Sequence, residues 1–213
     1  MTHLSRRRVL AAAGALSGAG LAGCLGGGNG GESTRECSGD QRSVDVPPAG
    51  DPESDVTVAA YEDFACPGCR EYVLNVLPRI EDEYVEPGAI AYEHRDLPIP
   101  VDEEWSWKVP NAAFVVFEEA GPEAYYEFIP AAYQHQGDYS EETVVGVATD
   151  LGAEEGAVRD ALESEPFCEQ LVESRAAALD RGVEATPTVF VNDQAFESPG
   201  EEELREAIES ELG

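Results

Sequence analysis

The sequence predicts an α/β fold in which a βαβ unit and a ββα unit flank a run of helices. Two short apolar stretches, at about 55–61 and 188–191, have the pattern of buried strands. Between them lie longer stretches with helical periodicity, separated mostly by glycines. About 160 residues follow the polar N-terminal region, and this length suits one domain with a substantial core.

The βαβ unit begins with the strand at about 55–61. A helix at about 67–84 follows, because apolar residues recur on one face at spacings of three and four. Pro78 has no N–H, so it is expected to kink this helix near Leu74, whose carbonyl loses its partner. A second strand at 89–95 is predicted to run parallel to the first, because a helix joins them.

Five helical stretches are predicted after the second strand. They cover 105–120, 122–136, 141–151, 154–163 and 166–181. Ser140 is a suitable N-cap for the third stretch. Residues 114–117 are all apolar, which favours a helix buried on most sides rather than a cofactor site. Trp105 and Trp107 are expected to pack in the core rather than line a peptide groove.

A hairpin and a final helix complete the predicted fold. The hairpin strands lie at 188–191 and 195–197. Ser198 is expected to cap the final helix, with Pro199 at its first position and Glu201 closing a capping box. This order of elements resembles that of the thioredoxin fold, with a layer of helices between the two units.

Two cysteines at the junction of the first strand and the first helix indicate the chemistry. Cys66 and Cys69 lie where a helix N-terminus has free N–H groups and partial positive charge. This environment favours a thiolate and lowers the pKa of Cys66 below its ordinary value of about 8.5. The pair predicts dithiol–disulfide exchange. Cys66 is expected to be the exposed nucleophile, and Cys69 the shielded partner that resolves a mixed disulfide.

Two other interpretations of the pair remain open. A C-x-x-C is also half of a zinc site, but the sequence offers no second ligand pair at suitable spacing. His94 and His135 have no spacing that implies a ligand, so no metal is predicted. An inert structural bridge is the other alternative, although so short a loop removes little entropy from the unfolded chain.

Three stretches together carry a family resemblance. They are Asp63-Phe64-Ala65-Cys66-Pro67-Gly68-Cys69-Arg70, Arg95-Asp96-Leu97-Pro98, and the run from Gly182 to Asn192. In this order and spacing they resemble the DsbA-like thiol–disulfide oxidoreductases, over roughly residues 51–213. The resemblance implies action on cysteine-containing exported proteins and a membrane redox partner, and no cofactor is expected.

The resemblance also places Thr186-Pro187 opposite the cysteine pair, with a cis peptide bond. A cis X–Pro bond costs only about 0.5–1 kcal/mol, and its turn leaves backbone groups free to bind a substrate as an added strand. Thr186 and Pro187 are therefore the expected substrate-binding residues. The alternative is an ordinary trans proline at the start of an edge strand.

The chain departs from the family pattern at two places. Many relatives have an acidic residue six positions before the first cysteine, where this chain has Ala60. Glu62 or Asp63 is a candidate substitute. Pro67 and Gly68 are the expected tuning residues, but they lack the histidine that stabilises the thiolate in the most oxidising relatives. The oxidising strength therefore stays open.

The N-terminus predicts export. Residues 1–23 resemble a twin-arginine signal peptide, with Ser5-Arg6-Arg7-Arg8 followed by an apolar run too short to span a bilayer. Leu21-Ala22-Gly23-Cys24 resembles a lipobox, which predicts lipid attachment at Cys24 and anchoring on the outer face of the cell membrane. A plain cleaved signal and a short uncleaved anchor are the alternatives.

The rest of the chain divides into two predicted parts. Residues 24–54 are expected to form a flexible tether and N-terminal extension, because a glycine run precedes a polar stretch. Residues 55–213 are expected to form the DsbA-like domain, with the helical insertion at about 100–181.

The charge is strongly negative, at −31 for the whole chain. Removal of 1–23 takes away three arginines and leaves ten basic against 44 acidic side chains, a net charge of −34. Such a surface repels itself at low salt and is screened at high salt, which predicts adaptation to a salty habitat, as in a halophilic archaeon. Nucleic acid is an unfavourable partner, because it is also strongly negative.

Cys37 and Cys168 are the remaining pair. Export implies an oxidising compartment, so they are predicted to form a structural disulfide.

Three functions are compatible with these features. The leading one is an exported, lipid-anchored oxidase that donates disulfides. A reductase or isomerase of the same fold is the second. The third is a non-catalytic lipoprotein that binds peptides in the groove, with Cys66–Cys69 only structural. The reduction potential would discriminate among the three.

Overall fold

The computed structural model describes residues 35–99 and 101–213. Five strands form one sheet in the order β1-β3-β2-β4-β5. They are β1 (Ala49–Gly50), β2 (Thr57–Glu62), β3 (Ala91–Asp96), β4 (Thr188–Val191) and β5 (Gln194–Glu197). β2 and β3 run parallel, and β4 is antiparallel to both β2 and β5. This confirms the predicted α/β class, with a thioredoxin-type sheet.

The helices lie in the predicted regions. They are α1 (Pro67–Glu71) and α2 (Leu77–Ile80), each followed by a π-helical turn (Tyr72–Val76 and Glu81–Val85), then α3 (Trp105–Gln134), α4 (Glu141–Asp150), α5 (Glu155–Ser164), α6 (Cys168–Asp180) and α7 (Glu201–Leu212). The two helices predicted at 105–120 and 122–136 correspond to α3, whose helical backbone is broken at Gly121 (φ 90°, ψ −178°). This positive φ is readily adopted by glycine.

The disturbance predicted near Leu74 takes the form of the first π-helical turn. The Leu77 N–H donates to the Tyr72 carbonyl, five residues earlier. Pro78 has no N–H to offer the Leu74 carbonyl, so the wider turn accommodates the proline without ending the helix.

The two faces of β2 contribute to two apolar clusters. Val58 and Ala60 join the large core that the helices cover. Ala59 and Tyr61 point to the opposite face, where they pack with residues of β4 and α6. This alternation with a period of two places a side chain at position 62 on the same face as Ala60.

The insertion confirms several local predictions. The Ser140 side chain accepts the Thr143 N–H and caps α4. Phe114, Val115 and Val116 are almost fully buried, as expected for a helix covered on most sides. Trp107 is buried, and Trp105 is partly buried against Tyr139, so both pack in the fold as predicted.

The predicted cap of the final helix is wrong. Gly200, not Ser198, occupies the N-cap position of α7, and no side chain caps it. Ser198 adopts a positive φ of 49°, and its N–H donates to the Pro187 carbonyl at 2.8 Å. This hydrogen bond draws Ser198 to the end of the hairpin, so the helix starts later.

Residues 35–54 are irregular apart from β1, and they pack along the insertion. Val44 exchanges two hydrogen bonds with the Gln170 side chain, at 2.8 and 3.0 Å. Cys37 and Cys168 form a disulfide, with their Cα atoms 5.6 Å apart. The bridge ties the segment to the first residue of α6.

The predicted signal peptide and Cys24 lie outside the described residues. Within residues 35–99 and 101–213, no helix has both the length and the apolar character to span a membrane.

Replacing both Cys37 and Cys168 by Ser is expected to lower the free energy of unfolding. The cysteines are 131 positions apart, and in the chain-entropy model a loop of this length contributes about 4–5 kcal/mol, less any strain. Urea unfolding at constant high salt measures the loss. Ser38→Ala, at an exposed neighbouring position, is the control. A double variant as stable as wild type would contradict the expectation.

Candidate active site

The site is built on the turn between β2 and α1. The Cys66 N–H donates to the Asp63 carbonyl at 2.9 Å, and the Asp63 carboxylate accepts the Ala65 N–H at 2.7 Å. Cys66 is the N-cap of α1 and has extended backbone angles (φ −79°, ψ 119°), and Pro67 begins the helix. The turn therefore presents the Cys66 sulfur to the free N–H groups of the first helical turn.

Cys66 is surrounded by groups that favour its thiolate. The Cys69 thiol, the Thr186 hydroxyl and the N–H groups of Cys69 and Gly68 lower the pKa of Cys66 to about 5, although burial opposes them. As a thiol, Cys66 donates to the Thr186 carbonyl at 3.3 Å. These contacts make Cys66 largely ionised at neutral pH.

Cys69 has the opposite environment. It is 0 % exposed, and burial raises its pKa well above the ordinary value, with Cys66 and Glu62 acting in the same direction. The Asp63 N–H donates to its sulfur at 3.4 Å. Cys66 is 8 % exposed, so it is the more accessible sulfur, but it is less open than the exposed nucleophile expected from the sequence. The Thr186 carbonyl lies against its sulfur and contributes to this burial.

The Thr186–Pro187 peptide bond is cis and lies against the cysteine pair. A Cβ at Gly68 would lie 3.1 Å from Cδ of Pro187 and 3.7 Å from the Cys66 sulfur. Gly68 therefore permits this loop to approach the start of α1 closely. The Thr186 hydroxyl is buried, with no hydrogen-bond partner among the described residues other than the Cys66 sulfur it stabilises.

A buried cluster of charged residues beneath the cysteines was not predicted. One oxygen of Glu62 accepts the Tyr92 hydroxyl at 3.3 Å and pairs with His94 Nδ1 at 3.2 Å. His94 Nε2 pairs with Asp96 at 3.2 Å. Burial alone would lower the pKa of His94, but the two carboxylates raise it to about 10. His94 is therefore an imidazolium that donates from both nitrogens.

Of the two candidate acids, Glu62 is the one whose charge acts on Cys69, whereas Asp63 interacts with Cys66. Ala60, at the family's position, has no carboxylate. Asp63 accepts the N–H groups of Ala65 and Ile99, and burial raises its pKa to about 6. Glu62 is 1 % exposed, and its charge contributes to the raised pKa of Cys69. The sequence did contain one indication that Glu62 is buried. Position 62 is two residues after Ala60 on β2 and therefore shares its inward face, and in the sheet it pairs with Asp96 on β3.

Within the described part of the chain, no group of three or more His, Cys, Asp or Glu side chains is arranged to hold a metal ion. Cys37 and Cys168 are bonded to each other and so offer no thiolates to a zinc site.

Comparison with known proteins places this geometry in a family. A family model described as thioredoxin (Thioredoxin_4) matches residues 43–210. The chain belongs to the thioredoxin family. A curated relative, disulfide bond formation protein D of Bacillus subtilis, is 24 % identical over 78 % of this chain and 77 % of its own length.

Solved structures share the fold. BdbD of Bacillus subtilis superposes with a TM-score of 0.72, at 22 % identity, over 84 % of this chain and 99 % of its own. The thiol–disulfide exchange protein alpha-DsbA2 of Wolbachia pipientis has a TM-score of 0.66 at 26 % identity, over 78 % and 86 % of the two chains. The protein is therefore a DsbA-like thiol–disulfide oxidoreductase with a helical insertion in a thioredoxin fold.

The oxidised protein is expected to lose stability as the pH rises from 6.5 toward 10. The pKa of His94 rises from an ordinary 6.5 to about 10 in the folded state, so its stabilising contribution is full below 6.5 and is lost as the pH passes through 10. Urea unfolding across this range measures the trend, with Cys66 held in its disulfide. His94→Gln should reduce the dependence of the free energy of unfolding on pH, whereas His135→Gln, at an exposed position, should leave it unchanged. Equal slopes in both variants would exclude His94 as the cause.

Proposed function

We propose that this protein is an extracytoplasmic oxidase that forms disulfides in other proteins through Cys66 and Cys69. The observation that carries the proposal is the contrast between the two sulfurs. Cys66 is stabilised as a thiolate, whereas burial keeps Cys69 protonated. A stabilised thiolate favours the reduced form of the enzyme, which makes its disulfide oxidising. The names of the Bacillus relatives, disulfide bond formation protein D, support the same direction.

The first step opens the enzyme's disulfide. A substrate thiolate attacks the sulfur of Cys66, the Cys66–Cys69 bond breaks, and Cys69 leaves with the electron pair. Because burial raises the pKa of Cys69 well above its ordinary value, Cys69 takes up a proton, which slows its return attack on the Cys66 sulfur. The product is a mixed disulfide between the substrate and Cys66.

The second step releases oxidised substrate. A second substrate thiolate attacks the substrate sulfur of the mixed disulfide, and Cys66 leaves as a thiolate. Its pKa of about 5 makes it a good leaving group at neutral pH. Two substrate thiols have then become one disulfide, and two electrons have passed to the enzyme. A membrane redox partner would accept these electrons and restore the Cys66–Cys69 bridge.

Thr186 and Pro187 would hold the substrate during both steps. The Thr186 carbonyl contacts the Cys66 sulfur, and the Pro187 ring lies close to Gly68. A cysteine-containing segment could add to this edge as an extended strand, which would align its sulfur with that of Cys66. Pro67 and Gly68 would tune the redox properties of the Cys66–Cys69 pair. Pro67 fixes the start of α1, and Gly68 allows Pro187 to approach it.

Cys69→Ala is expected to trap substrates as mixed disulfides on Cys66. The Cys66 thiolate attacks a substrate disulfide and one substrate sulfur leaves as a thiolate, but no Cys69 thiol remains to attack Cys66 and release the substrate. Cys66→Ala should abolish both trapping and turnover. Non-reducing gels with mass spectrometry of the captured peptides measure both outcomes. Capture through Cys69 in the Cys66→Ala variant would refute the assignment. A measured reduction potential near that of thioredoxin, about −270 mV, would instead favour the reductase direction.

The proposed location is the outer face of the cell membrane, with residues 1–23 removed and a lipid on Cys24. The lipobox-like sequence and the twin-arginine-type leader support export. The Cys37–Cys168 disulfide supports it independently, because structural disulfides persist mainly in oxidising compartments. The acidic surface fits a salty exterior such as that of a halophile.

Cys24→Ala is expected to move the protein from the membrane fraction to the medium or to an uncleaved precursor. Fractionation and intact mass of the protein from its native host measure this change. Gly27→Ala, in the adjacent glycine run, is the control. An unchanged mass and distribution in Cys24→Ala would rule out lipid anchoring at this residue.

A further inference from the structure

The helical insertion contributes side chains directly to the active-site turn, and Gln136 makes two of these contacts. The Gln136 amide nitrogen donates to the Phe64 carbonyl at 2.8 Å and to the Cys66 carbonyl at 2.9 Å. An amide nitrogen carries two hydrogens, so both are used. Gln136 lies just beyond His135, the C-cap of α3, and is half-buried. It therefore links the end of the insertion's longest helix to the turn that carries the nucleophile.

The two carbonyls depend on donors from different parts of the chain. Phe64 is 1 % exposed, and its carbonyl also accepts the Tyr139 hydroxyl at 3.2 Å, so both observed donors come from the insertion. The Cys66 carbonyl accepts the N–H groups of Cys69 and Arg70, which lie within α1, and the amide of Gln136. Removing one of these donors costs free energy and weakens the hold of the insertion on the turn.

We propose that Gln136 is a positioning residue that holds the turn in the conformation which stabilises the Cys66 thiolate. This inference rests on the proposed role of Cys66 as the nucleophile. The N–H groups of Gly68 and Cys69 face the sulfur because Cys66 keeps its extended backbone angles at the N-cap. Gln136 fixes the carbonyl of Cys66 and the carbonyl of Phe64. Its donor hydrogens also place partial positive charge beside the turn.

The test replaces the donor while keeping the shape of the side chain. Gln136→Met has a similar length and cannot donate. The pKa of Cys66 is expected to rise by roughly half a unit to one unit, as the loss of a typical neutral hydrogen bond implies. Gln136→Glu keeps the shape and, when ionised, cannot donate and adds negative charge, so the shift measured above the pKa of the new carboxyl group should be larger. Thiolate absorbance against pH measures the shift, and mass spectrometry of alkylated protein identifies the titrating sulfur.

Two further variants separate positioning from general stability. Gln134→Met changes the last residue of α3 at an exposed position and should leave the pKa of Cys66 unchanged. Tyr139→Phe removes a donor from the Phe64 carbonyl alone, so it should give a smaller shift than Gln136→Met. It also provides the measurement if the Gln136 variants fail to fold.

The possible results are distinguishable. A Gln136→Met protein with a lower melting temperature but an unchanged pKa of Cys66 would overturn the positioning role and leave the proposed function intact. An equal shift in Gln134→Met would overturn it as well. Alkylation of Cys69 rather than Cys66 in the wild-type protein would overturn both the inference and the assignment of the nucleophile.

Discussion

The turn between β2 and α1 is buried, and this constraint shapes the rest of the site. A buried turn must find donors for its carbonyls and acceptors for its N–H groups. The Asp63 carboxylate accepts two N–H groups, and the insertion donates to two carbonyls. Cys66 is thereby fixed at the N-terminus of α1, where N–H groups stabilise its thiolate. The helical insertion thus supports the redox chemistry as well as covering the core.

The sequence predicts the parts of this arrangement that depend on local pattern. Periodicity places the strands and helices, and the position of Cys66 and Cys69 after a strand implies a helix N-terminus. The sequence does not predict the contact of Gln136 with the turn, because Gln136 and Cys66 are 70 positions apart in the chain. A glutamine at the end of a helix resembles any exposed polar residue until the tertiary contact is known. The late start of α7 has a similar cause, because a hydrogen bond to Pro187 holds Ser198 outside the helix.

The buried acid illustrates how much a strand register can convey. Ala60 and Glu62 are two positions apart on β2, so both face the helices that cover the core. Glu62 is thus a buried acid two positions beyond Ala60, and its charge helps to raise the pKa of Cys69. His94 on β3 supplies its counter-charge, and Asp96 holds the other nitrogen of the imidazole. The sequence alone showed only a histidine without ligand spacing, because pairing across strands leaves no local signal.

The buried cluster of Glu62, His94 and Asp96 is better explained by an effect on Cys69 than by a contribution to stability. At an effective dielectric constant of about 20, charges 3.2 Å apart attract by about 5 kcal/mol. Burying each ion costs several kcal/mol, so the pair contributes little net stability compared with apolar residues of similar volume. What the cluster does provide is a fixed negative charge beside Cys69. Salt screens buried charges much less than exposed ones, so this effect persists at ionic strengths that weaken the surface charges. The contrast between the two sulfurs is therefore set inside the protein, independently of its strongly acidic surface.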